Sequence, residues 1–128
     1  MIISCGVDIC DTRRIAEMVA EHGDVFLNRT FAAEELKYAS GRARGNEHLA
    51  ARFAAKEAVF KALGTGWSAG ISWLDVCVSI GASGEPSITL SGRAAELAAE
   101  KGIARLHVSL SHCSGYAVAM VIAEGRGA

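Results

Sequence analysis

Proline occurs once among 128 residues, and the 14 glycines follow no triplet period, so a collagen-like chain is excluded. No apolar run approaches the roughly 18 residues of a membrane span. Net charge is nearly absent at −1, while 51% of residues are hydrophobic, which excludes global disorder and argues against a general nucleic-acid binder. Cys5, Cys10, Cys77 and Cys113 form no CxxC pair, and no His/Cys cluster has zinc-ligand spacing. Three of them lie in strand-like apolar runs, which points to free thiols in a reducing compartment. The opening MIISCGVDIC lacks a basic segment and meets Asp8 too early for a secretory leader, so the expected location is cytoplasmic, away from membranes. Repeats, linkers and low-complexity tracts are missing as well. What remains is a 13.4 kDa chain of one-domain size, able to bury a core without staples. The expected boundaries are one domain over residues 1–124 and a short frayed tail, 125–128.

Ile2–Cys10 is apolar and β-branched and reads as a strand, interrupted near its end by Asp8. Asp11 or Thr12 can cap a following helix, on which Ile15, Met18 and Val19 recur at helical spacing until Gly23. Phe26, Leu27 and Phe31 form an apolar link, residues 32–40 look helical, and residues 40–45 form a loop by composition. Asn46–Leu63 carries the strongest helical pattern, with Asn46 as cap and Leu49, Phe53, Phe60 and Leu63 as its apolar stripe. Gly64-Thr65-Gly66 ends it. Trp73–Ile80 alternates with a period of two, Gly81–Gly84 is a turn, and Pro86–Leu90 reads as the partner strand. Residues 92–101 form an Ala-rich helix ended by Gly102. Leu106, Val108 and Leu110 alternate with polar residues, and a turn at 112–115 leads to the buried strand Tyr116–Ala123. Strands joined by short turns predict an α+β fold, a mostly antiparallel sheet packed against a long central helix.

Residues 36–61 hold six basic side chains and two acidic ones, a local +4 that leaves −5 elsewhere. Such a field suits a small polyanion, although a solvated charged loop and helix face has the same composition. Asp8, flanked by Val7 and Ile9, must be solvated, paired or bound to a metal. Glu57 and Lys61 stand at i, i+4 and share a helix face. As an exposed pair they contribute a few tenths of a kcal/mol. Ala54, Ala58 and Ala62 around them also permit close approach of a ligand or another backbone, and the Gly-Thr-Gly end offers N–H groups to a phosphate. His107, Ser109 and Ser111 share one strand face, a pattern equally common on half-exposed strands. No Gly-x-Ser-x-Gly elbow supports a Ser-His-Asp hydrolase.

Together three segments resemble one family. They are Gly6-Val7-Asp8-Ile9 with Arg14-Ile15; Arg52-Phe53-Ala54-Ala55-Lys56-Glu57-Ala58 with Lys61-Ala62 and Gly64-Thr65-Gly66; and His107-Val108-Ser109-Leu110-Ser111-His112 leading to Tyr116-Ala117. In order, spacing and length the chain resembles the holo-acyl-carrier-protein synthases, the small type of 4′-phosphopantetheinyl transferase, over residues 2 to 124. The Lys-Glu-Ala helix with its Gly-Thr-Gly end is the specific part.

The resemblance implies a 4′-phosphopantetheinyl transferase-like fold and transfer of the phosphopantetheine arm of coenzyme A to a serine of an acyl carrier protein. Adenosine 3′,5′-bisphosphate leaves, and magnesium is required. By motif, Asp8 and Glu57 would be the metal ligands, which agrees with the preference of Mg²⁺ for one or two carboxylates plus substrate phosphates. Lys61 would stabilise charge at the pyrophosphate or protonate the leaving group, and Glu57 is the candidate base. Gly64, Thr65 and Gly66 would line the coenzyme path, and Arg52 and His107 would contact its phosphates. Arg13, Arg14, Met18 and Arg29 would dock the acidic carrier, although Glu17, Glu21 and His22 dilute the basic character there. The family's small members are homotrimers with sites between subunits. Two rivals remain: a non-catalytic coenzyme A or nucleotide-binding module, which would leave a carrier unmodified, and a coenzyme A-dependent acyltransferase, which would spare the pyrophosphate.

Overall fold

The computed structural model describes residues 1–66 and 69–127. Its centre is helix α4 (Gly45–Leu63), whose buried residues include Leu49, Phe53, Val59, Phe60 and Leu63 together with alanines 50, 51, 54, 55, 58 and 62. A helix apolar on nearly every side must be packed on nearly every side. Alanine is a strong helix former and keeps the surface low, so neighbouring elements come close.

On one side lies an antiparallel sheet ordered β1 (Ile2–Asp11), β5 (Tyr116–Gly125), β4 (Ile103–Cys113). Asp8 pairs with Ala119, which pairs in turn with Leu110. Directly paired residues share a face, so Gly6, Asp8 and Cys10 look the same way as Ala117, Ala119 and Val121, beneath α4. A Cβ on Gly6 would overlap the Ala58 carbonyl and lie 3.1 Å from Ala62 N. The strand rests directly on the helix backbone there, and the Ser4 hydroxyl donates to the Ala62 carbonyl at 2.6 Å.

The hairpin β2 (Val76–Ile80) and β3 (Pro86–Leu90) forms a separate two-stranded sheet, so the strands make two sheets. It packs with α3 (Ala33–Ser40) and a 3₁₀ turn, Trp73–Asp75, against the other side of α4. Trp73 stacks on Phe53, ring centroids 4.7 Å apart. Helix α1 (Thr12–His22) packs on α4, α2 (Asp24–Thr30) packs on α1 and the 3₁₀ turn, and α5 (Gly92–Glu100) precedes β4.

The α+β architecture agrees with the sequence, and several details differ. The apolar link Phe26–Phe31 is mostly helix, because Gly23 at φ 54 breaks the chain and Asp24 opens α2 in its first turn. Asn46 lies inside α4 rather than capping it; Arg44 holds the cap position without a side-chain bond. Trp73 belongs to the 3₁₀ turn, where Ser72 caps by accepting from Leu74 N. Asp8 lies within β1, which continues to Asp11. Asp11 caps α1 by accepting from Arg13 N at 2.9 Å. β4 extends to Cys113, and β5 extends through Gly125, one residue past the expected boundary, while Ala128 lies outside the described residues. All four cysteines are free. No helix among the described residues is long and apolar enough to cross a membrane.

Candidate functional site

The close contact of β1 with α4 brings Asp8 beside Glu57 and Lys61. Lys61 Nζ donates to the Val7 carbonyl at 2.8 Å and to Asp8 Oδ1 at 3.1 Å. Arg14, from α1, reaches Glu57 Oε1 at 3.9 Å. The side chains of Asp8 and Glu57 are largely buried, 12% and 24% exposed, whereas those of Lys61 and Arg14 are 53% and 59% exposed. Burial, and after it the negative charge of Asp8, pushes the Glu57 carboxyl above its ordinary value, against the lowering effects of Arg14 and Lys61. A carboxylate held in that condition gains from any further cation placed beside it.

Among the described residues no group of three or more His, Cys, Asp or Glu side chains could enclose a metal. Two carboxylates are nevertheless the donor set that suits Mg²⁺, which keeps several waters and takes further oxygens from phosphates. The residues present fit that ion. Cys10, on the same sheet face, is not a nucleophile: burial pushes its thiol up to about 11.

Gly64, in the left-handed region at φ 78, closes α4 one turn beyond Lys61, and Gly66 follows at φ 54.

A cavity of about 360 Å³ opens between α1, α2 and α4, and Arg14 in its lining reaches Glu57. Its lining includes Arg14, Met18, Val25, Phe26, Arg29 and Phe53. Arg14, Met18 and Arg29, which the resemblance groups as carrier-docking residues, all line it. His22, at the end of α1, lines it too, as do Val25 and Phe26 from α2, a segment whose sequence reads as an apolar link with no pattern marking its inward face. Arg13 turns away and is held by Asp11, at 2.8 Å.

Arg52 and His107 are not brought to the carboxylate pair. Arg52 is 2% exposed on the α3 side of α4, donating to the His48 carbonyl at 3.2 Å and lying 4.4 Å from the centre of the Tyr38 ring. Its Nε has no hydrogen-bond partner, and burial lowers its pKa. His107 pairs with Ile122, so it lies on the face of the sheet opposite Asp8, where its Nε2 meets Glu124 Oε1 at 2.9 Å. That outward face also exposes Val7 (54%), Ile9 (62%), Tyr116 (47%) and Met120 (50%).

The geometry can be set beside known proteins. The 4′-phosphopantetheinyl transferase superfamily matches residues 4–121. The holo-(acyl-carrier-protein) synthase of Koribacter versatilis is 44% identical over 124 residues, 97% of this chain and 99% of that one. The crystal structure of the Neisseria meningitidis holo-(acyl-carrier-protein) synthase superposes with a TM-score of 0.88 at 33% identity, covering 97% of this chain and 99% of that one. The Helicobacter pylori synthase, solved in complex with coenzyme A, gives 0.82 at 32% identity, covering 94% and 99%. With a family match across nearly the whole chain and a shared fold, the chain belongs to the 4′-phosphopantetheinyl transferase superfamily, as an enzyme of the holo-(acyl-carrier-protein) synthase type.

Proposed function

We propose that this enzyme, as a single domain over residues 1–124, transfers the 4′-phosphopantetheine arm of coenzyme A to a serine of an apo-acyl carrier protein and releases adenosine 3′,5′-bisphosphate. The observation that supports it most is the convergence of Asp8, Glu57 and Lys61, from β1 and α4, within ion-pair reach of Lys61 or Arg14. The serine oxygen bonds to the phosphorus that carries the pantetheine. The bond from that phosphorus to the bridging oxygen breaks, and its electron pair leaves with the nucleotide. Asp8 and Glu57 would hold Mg²⁺, which would supply charge neutralisation at the pyrophosphate. Lys61 sits one turn from Glu57 and faces the developing charge on the bridging oxygen, which it stabilises or protonates. Glu57 takes the serine proton as the general base. Gly64, Thr65 and Gly66 line the coenzyme path, although the N–H groups of Gly64 and Thr65 donate to the Phe60 carbonyl at 3.1 and 3.4 Å and so close α4 rather than facing a phosphate.

The cavity between α1 and α2 receives the carrier. It offers apolar walls with Arg14 and Arg29 at its edge, a surface complementary to an acidic amphipathic partner. The exposed apolar face of β1 and β5 supports a homotrimer, since such a patch is usually covered in an assembly. In that arrangement His107, on the outward face, serves a neighbouring subunit's coenzyme phosphates, and Arg52 adds to the positive field without contact. A reducing, cytoplasmic setting fits the four free thiols.

Intact-mass analysis of an apo carrier after incubation with enzyme, coenzyme A and Mg²⁺, with a chelator control, tests the proposal. The expected result is a gain equal to the phosphopantetheine arm, lost with chelator. A carrier panel that gains no mass, under conditions where coenzyme A binds, sinks it. For the shared site, mixing Asp8→Asn with His107→Ala subunits should restore activity that neither has alone.

A further inference from the structure

Arg14 belongs to two places at once. Its side chain lines the α1–α2 cavity, its guanidinium lies 5.1 Å from the centre of the Phe53 ring in the cavity wall, and it reaches Glu57 Oε1 at 3.9 Å. The contact with Glu57 is at the outer limit of an ion pair, and 59% of the Arg14 side chain is exposed, so little holds it there. Its neighbours are fixed. Arg13 is held by both oxygens of Asp11, and Lys61 is anchored by the Val7 carbonyl as well as Asp8. The charged groups facing Glu57 are Asp8, Arg14 and Lys61, and Arg14 is the less firmly hydrogen-bonded of the two cations. The cavity side offers Arg14 no competing carboxylate among the described lining residues; its other basic groups are His22 and Arg29.

We propose that Arg14 couples docking of the acidic carrier to loading of the divalent-cation site. This rests on the reading that the cavity receives the carrier and that Asp8 and Glu57 hold the cation. With the cavity empty, Arg14 leans on Glu57 and its positive charge opposes a metal ion there. A carrier carboxylate entering the cavity draws the guanidinium away, and Glu57 becomes free for the metal. Linkage makes the effect mutual, so the metal tightens carrier binding by the same factor.

The test measures Mn²⁺ affinity by electron paramagnetic resonance, without coenzyme A, using a carrier whose acceptor serine is replaced by alanine. Saturating carrier should tighten Mn²⁺ about two- to fivefold in the unaltered enzyme, the scale of an exposed ion pair. R14Q alone should already bind Mn²⁺ about two- to fivefold more tightly, with no further gain from saturating carrier. R14K keeps the charge and should retain part of the coupling, which serves if R14Q folds poorly. Equal tightening by the carrier in R14Q, or an R14Q affinity equal to that of the unaltered enzyme, overturns the coupling while leaving the docking reading intact. A carrier that fails to bind the unaltered enzyme overturns the docking reading, and the coupling with it.

Discussion

Lys56 and Glu57 are consecutive on α4 and their surroundings could hardly differ more. Lys56 is fully buried, 2.8 Å from Glu35 Oε1, and donates also to the Trp73 and Val76 carbonyls. Glu35 in turn accepts from the backbone of Ala32 at 2.8 Å and Val78 at 3.0 Å. Every strong donor and acceptor in that group has a partner, although burial still lowers the Lys56 pKa. Glu57, one residue on, faces a second carboxylate and has one long contact with Arg14. One charge completes a closed network that ties α3, α4 and β2 together. The other is left short of partners, as a site that must accept a ligand has to be.

Substitutions can break this contrast. Glu57→Gln and Asp8→Asn should lower kcat/KM by about 10²–10³, the scale of removing one preorganised electrostatic group, with the urea midpoint held or raised. Lys56→Met should do the reverse in kind: a loss of about 3–5 kcal/mol in stability, because the buried Glu35 keeps its two backbone bonds but loses its counter-ion. Replacing Lys56 and Glu35 together by apolar residues should recover much of it, and a double variant no more stable than Lys56→Met would refute the closed-network view. Gly6→Ala should cost about 1–3 kcal/mol, since the new methyl group overlaps the Ala58 carbonyl. By lifting β1 off α4 it should also weaken Mn²⁺ binding in calorimetry, without altering either carboxylate.

The carboxylate pair was legible because each member broke a local rule. Asp8 interrupts an apolar strand, and Glu57 stands among alanines on a core helix. Their meeting was not legible from pattern alone. It depends on the register Asp8↔Ala119, which sets the face of β1 turned to α4. The same register explains His107: the sequence shows that it opposes Val108 across the strand, and only the sheet shows that Asp8 sides with Val108 and Leu110. Arg52 lies on the helix that carries Glu57, yet it faces α3, and its burial beside Tyr38 follows from packing that the sequence does not display. The short helix α2 escaped because seven residues give barely two turns of periodicity, and the places of Val25 and Phe26 in the cavity wall escaped with it.

The smallest expected effect separates the two neighbours most cleanly. Glu57 has a folded-state pKa above its ordinary 4.5, chiefly from burial. For such a group the stabilisation belongs to the protonated form: it is fully present below the unfolded pKa and is lost as pH rises through the folded one. In chelator at neutral pH, ionised Glu57 is therefore a burden on the fold, and Glu57→Gln should raise the urea midpoint. The advantage should shrink on acidification and vanish once the pH is below 4.5, where both states are protonated. Excess Mg²⁺ should reverse its sign at neutral pH, because the ion stabilises only the chain that keeps both carboxylates. A Glu57→Gln gain that persists in acid would mean that the side chain's packing, not its charge, sets the balance, and the contrast with Lys56 would then be one of shape rather than of unfilled electrostatics.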